Sequence, residues 1–136
     1  MQTFNELRKY IIDNLDNIGA FVATDKNSKT EYKAVYLIEK PEQHTLTSGN
    51  CLIIKFNEVD GGKAVRHFAV EIKIMSKDIS DLIATKDALV NMLDFYNRPC
   101  AIPDYRKFRL SNEGGIYFDE NNLMYVDKLL FDCKAI

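Results

Sequence analysis

The side chains of this sequence best suited to chemistry are few and dispersed. Two histidines (His44, His67), three cysteines (Cys51, Cys100, Cys133) and twenty carboxylates are its main stock of metal ligands, nucleophiles and acid–base groups. A zinc centre needs three or four nitrogen or sulfur ligands converging on one point. Here the histidines lie far apart, and the cysteines are odd in number and widely spaced with no CxxC, so neither a zinc site nor a disulfide framework is indicated. The cysteines read as reduced, buried structural thiols. Nucleophilic catalysis needs a Ser or Cys activated by an oriented base, and no G-x-S-x-G or comparable setting surrounds any of them. Asp119 and Glu120, with Asp127 nearby, form the densest carboxylate group, but they stand among turn residues, where acids are common, and lack the ligand spacing of a calcium loop. His67 and Glu71 share parity along one strand and could titrate together; a solvated contact on a strand face explains the same spacing. Gly61-Gly62 and Gly114-Gly115 form no nucleotide-cradling loop. The residues point to a chain without catalytic, metal or cofactor sites, one that works by binding protein surfaces.

The elements that would position these groups follow from composition and periodicity. At 136 residues, 46% apolar and 28% charged, the chain suits one globular domain, residues 1–136. Its 18 basic and 20 acidic residues are interspersed, so no basic block favours nucleic acid, and no apolar run or leader pattern suggests a membrane or export; synthesis in the cytoplasm is expected. Thr3 and Glu6 fit a capping box, followed by Phe4, Leu7, Ile11, Leu15 and Ile18 at helical spacing up to Gly19. Residues 20–24 and 32–39 read as strands around a turn at Asp25-Lys26-Asn27-Ser28. Residues 41–50, rich in breakers, read as an exposed loop of about ten residues. Strands follow on either side of an Asp60-Gly61-Gly62 turn, the second with Phe68, Val70, Ile72 and Ile74 on one face and His67, Ala69, Glu71, Lys73 and Met75 on the other.

Asp78 or Ser80 caps a second helix with a stripe of Leu82, Ile83, Lys86, Leu89, Val90, Leu93 and Tyr96, ended by Asn97-Arg98-Pro99. Strands around Phe108 and Leu110, at 116–119 and at 123–134 close the chain, with the alternation of the last slipping at Asp127-Lys128, through a bulge or burial on both faces. The expected fold is α+β: a mostly antiparallel sheet with two helices packed on one face. The other face, carrying Lys55, His67, Glu71 and Lys73, is left to water or a partner.

The run Phe68-Ala69-Val70-Glu71-Ile72-Lys73-Ile74-Met75-Ser76-Lys77-Asp78, a helix to Tyr96, then Leu110-Ser111-Asn112-Glu113-Gly114-Gly115-Ile116-Tyr117 and a long last strand carry a family likeness. In these residues and in element order the chain resembles the tail terminator (tail completion) proteins of long-tailed bacteriophages, also called minor capsid or head–tail joining proteins. The resemblance implies a phage or prophage structural subunit, made in the bacterial host and ending in the virion tail. Such a subunit forms a hexameric ring, caps the tail tube, stops its polymerisation and meets the head connector, with no catalysis, cofactor or membrane. A ring needs a heterologous interface, in which one patch meets a different patch on the neighbour. The candidate interface residues are His44 and Leu46 in the long loop, and Lys55, His67, Glu71 and Lys73 on the sheet face. Two other readings compete: a small protein-binding module such as an immunity protein or inhibitor, and an enzyme built around His67 and Glu71.

Overall fold

The computed structural model describes residues 2–60 and 66–135. Among these, two helices and nine strands form an α+β fold, as the patterning predicts.

Helix α1 (Gln2–Asn14) buries Leu7 and Ile11 on its inner stripe, continued by Leu15. Thr3 lies inside this helix and is not its cap; its carbonyl accepts the Tyr105 hydroxyl at 3.0 Å. The helix also stops before the expected Gly19. The Asn14 side-chain amide donates to the Tyr10 carbonyl at 2.8 Å, and a 3-10 turn, Ile18–Ala20, takes over. The Asn17 amide donates to Thr85 Oγ1 at 2.9 Å.

Strands β1 (Val22–Asp25) and β2 (Glu31–Lys33) form a hairpin whose turn is set by Asp25 Oδ1, which accepts from the N–H groups of Asn27 and Ser28. The second predicted strand, 32–39, is in fact two: β2 ends at Lys33 and β3 (Val35–Leu37) belongs to a different sheet. The exposed loop predicted at 41–50 also contains structure. β4 (His44–Leu46) pairs antiparallel with the second edge of β1, whose N–H and C=O groups would otherwise lack partners. The small sheet has the order β2-β1-β4.

The large sheet comprises β3, β5 (Asn50–Asp60), β6 (Arg66–Ser76), β9 (Met124–Ala135) and β7 (Tyr105–Glu113) in that order, with β8 (Tyr117–Asp119) also on β9. Its strand pairs are antiparallel except β3 with β5. Gly61 and Gly62, the expected turn between β5 and β6, lie outside the described residues.

One face is the core. Leu52, Ile54, Phe68, Val70, Ile72, Ile74, Phe108, Leu129 and Phe131 are buried there. Both helices cover it: the ring of Phe4 in α1 stacks on Phe56 at 3.8 Å, and Lys86 of α2 (Ile79–Leu93) reaches Asp127, Phe56 and Asp127 being on that same face. The α2 N-cap is Asp78, whose carboxylate accepts from the N–H groups of Ser80 and Asp81. Of the expected stripe, Leu82, Leu89 and Leu93 are buried together with Thr85, whereas Ile83 and Tyr96 are exposed. Tyr96 lies beyond the helix end, so the helical period no longer applies to it, and it sits under the Arg109 guanidinium at 4.4 Å.

The slip predicted in β9 is there as burial on both faces, the second of the two explanations, and not as a bulge against β6. β9 runs in unbroken register against β6 from Tyr125 to Ala135, and Asp127 occupies a core-facing position in line with Leu129, Phe131 and Cys133. A buried charged residue, not a bulge, interrupts the hydrophobic alternation. Met124 and Val126 are also buried, on the opposite face, where Val126 faces Tyr117 of β8.

Candidate functional site

Alternation along β5, β6, β9 and β7 sends one set of side chains away from the helices. Lys55, His67, Glu71 and Lys73, expected on the outward face, are on it, Lys55 exposed and the others half-buried. The structure joins residues to them that sequence reasoning missed: Lys128, Leu130, Asp132 and Lys134 from β9, and Lys107 and Arg109 from β7. Their alternation was readable, but which strands are neighbours is a tertiary fact.

The pairing on this face sets its electrostatics. Lys55 stands opposite Glu71, and Lys107 Nζ is 2.7 Å from Asp132 Oδ2. Two other rows set like charges side by side: Lys73 opposite Lys128, and Lys134 opposite Lys107. Directly opposed like charges destabilise a ladder. Neither Lys73 nor Lys128 forms a close ion pair among the described residues, although the Asp119 carboxylate of the same chain lies near enough to Lys73 for their charges to attract. Although the chain is acidic overall, this face is basic. His67 and Glu71 are separated by about 13 Å of strand; their cross-strand neighbours are Asp60 and Lys134 for His67, and Lys55 and Leu130 for Glu71. The two are not cross-strand partners.

The other two candidate interface residues lie in β4 and not in the expected loop. His44 is a strand residue and only 9% exposed. Its ring stacks on Tyr32 at 4.6 Å, its Nδ1 is 2.9 Å from the Tyr36 hydroxyl, and its Nε2 is 3.9 Å from Asp25 Oδ2. Lys40 Nζ donates to the His44 carbonyl at 2.7 Å. Leu46 is half-buried opposite Ala23. These contacts hold the small sheet against β3 and leave a shallow groove of about 380 Å³ lined by Asn5, Arg8, Tyr32, Lys33 and Leu37, among others. Burial, with Cys51 nearby, pushes the Tyr36 hydroxyl up to about 12, so it is no general base at neutral pH. Burial raises the Cys51 thiol to about 12 as well, and Cys133 is likewise buried and raised. Both match the expectation of buried thiols; Cys100 is only half-buried.

The last residues of β7, and β8 after them, run along β9 at the rim of the large sheet. Residues 111–123 are exposed throughout except for Asp119. This arm, β8 with its flanking turns, carries Tyr117 46%, Phe118 47% and Leu123 67% exposed, with Ile116 beside them. It also holds Glu113, Asp119 and Glu120 and no basic residue. Phe118 packs edge-on against Tyr125 at 5.2 Å, and Asp119 accepts from the backbone of Asn121 and Asn122 and from the Asn122 side chain, which hold its carboxyl below the usual range. Asp119 and Glu120 are therefore turn-formers, as their setting in the sequence suggests.

No family model matches this chain, and no curated protein matches it. Among solved structures, it is similar to a chain in the virion of a native gene transfer agent (GTA) particle. The TM-score is 0.55 over 75% of this chain and 78% of that one, at 14% identity. The two chains share a fold.

Proposed function

We propose that this chain is a structural subunit of a phage or prophage virion that caps the tail tube as a ring, halts tail polymerisation and joins the tail to the head. The observation that carries the reading is the fold shared with a chain of a gene transfer agent virion, which agrees in kind with the tail-terminator resemblance of the sequence. The outward sheet face and the exposed arm suit such a subunit, because a ring needs two unlike patches on each copy. In this reading the chain performs no catalysis and takes no cofactor. Its partners are itself, the tail tube protein and the head-connector protein, and it is made in the host cell and ends in the virion.

The test is mass in solution by light scattering across a concentration series, with tail tube assembly followed by sedimentation and electron microscopy. A ring, and tubes whose length stops growing on its addition, is the expected result. A chain that stays monomeric at every concentration and leaves tube growth unchanged would overturn the reading.

A further inference from the structure

We infer that the arm of residues 111–123 in one copy of this chain docks on the lysine-bearing outward sheet face of a second copy, and that this contact closes the ring. The inference rests on the ring reading above and names the surfaces that make it.

Three observations carry it. The arm is exposed, rich in apolar side chains and uniformly acidic, with Ile116, Tyr117, Phe118 and Leu123 beside Glu113, Asp119 and Glu120. Large apolar side chains clustered on an acidic segment mark an interaction element. The outward face is its electrostatic complement: it opposes Lys73 to Lys128 and Lys134 to Lys107, and the chain's own Asp132 and Asp119 offset these lysines only in part, so further carboxylates from a neighbour are favoured there. Leu130, half-buried between these rows, and Ile53, half-buried opposite Lys73, offer apolar contact.

The third observation is that the sheet edges are obstructed. The Phe95 N–H donates to the Phe108 carbonyl and Asp94 Oδ1 accepts from the Leu110 N–H, so residues 94–95 lie along β7. At the other edge, Arg8 Nε donates to the Val35 carbonyl of β3 at 2.7 Å. Extension by a neighbour's strand is thereby hindered along β7 and at Val35 of β3, which favours the face as the docking surface. Arm and face are different patches, as a closing head-to-tail contact requires.

The experiment is a charge swap read by light scattering. The face variant Lys73→Glu/Lys128→Glu and the arm variant Glu120→Lys/Asn121→Lys change exposed or half-buried side chains. Circular dichroism and a thermal melt establish that each remains folded. Each alone is expected to need at least about tenfold more protein to assemble. Mixed in equal amounts they should assemble again, since the reversed arm then meets the reversed face while the native arm meets the native face. Raising salt from about 50 to about 500 mM should weaken the wild-type assembly, because screening acts on exposed charge pairs. If the wild type assembles while both variants assemble equally well and salt has no effect, the docking is overturned and the ring reading survives. A wild type that is monomeric at every concentration overturns both.

Discussion

Lys86 Nζ lies 3.0 Å from Asp127 Oδ2, and this contact ties α2 to the core face of β9. Asp127 is fully buried and its other oxygen accepts the Lys128 N–H at 2.7 Å, while Lys86 keeps partial access to water. The carboxylate raises the Lys86 ammonium above its ordinary range, against the opposing effect of its own burial. The residue that breaks the alternation of the last strand is thus paired in charge with the residue that breaks the apolar stripe of the second helix.

Lys86→Met should therefore destabilise the fold by about 3 kcal/mol, since it leaves a buried carboxylate without its counter-ion. Urea denaturation measures this. Lys86→Met/Asp127→Leu should recover most of the loss, because the desolvated charge disappears with its partner. A single variant within experimental error of wild type would show that the pair contributes nothing.

At Gly114 an added Cβ would meet the Lys128 carbonyl at 2.9 Å and Asp127 Oδ1 at 3.2 Å, and the Gly114 N–H donates to that same carbonyl. Gly114→Ala should cost roughly 1–3 kcal/mol by forcing the arm away from β9. Gly115, whose added Cβ meets nothing within 4 Å, should tolerate the same change. Equal melting temperatures for the two variants would refute the argument.

Stability should fall on the alkaline side. Cys51 and Tyr36 both have folded-state values raised to about 12, above ordinary values of 9.0 and 10.0. Below those ordinary values both groups hold their protons in the folded and unfolded chain alike, and pH has no effect through them. Above them, the unfolded chain releases protons that the folded chain retains, so stability declines from about pH 9 toward 12. Thermal melts across this range should show the decline, and Tyr36→Phe should flatten its upper part. Tyr36→Phe should also lower stability near neutrality by about 1 kcal/mol through loss of the bond to His44.

Asp78→Ala should cost about 1 kcal/mol, since its carboxylate satisfies two N–H groups at the start of α2, at 2.7 Å and 3.2 Å. Asp78→Asn should keep most of the stability. Chemical denaturation of the two variants side by side checks this.

What the sequence by itself determined is local. Period-two alternation placed Phe68, Val70, Ile72 and Ile74 on one face of β6, helical spacing found the Leu7 and Ile11 stripe, and Asp78 announced its helix; each of these signals acts over a few residues of backbone geometry. The α+β class and the outward position of Lys55, His67, Glu71 and Lys73 followed from those patterns. Tertiary structure decided the rest. His44 is buried because β1, distant in sequence, offered β4 an edge, and residues 32–39 divide because Tyr32 and Val35 serve different sheets. Asp127 faces the core because Lys86 of another element reaches it. The basic character of the outward face was likewise invisible along the chain, since Lys73 meets Lys128 and Lys107 meets Lys134 only across strands. The reason is common to all four: side-chain direction is set by neighbours in the chain, but partners and net charge are set by neighbours in space.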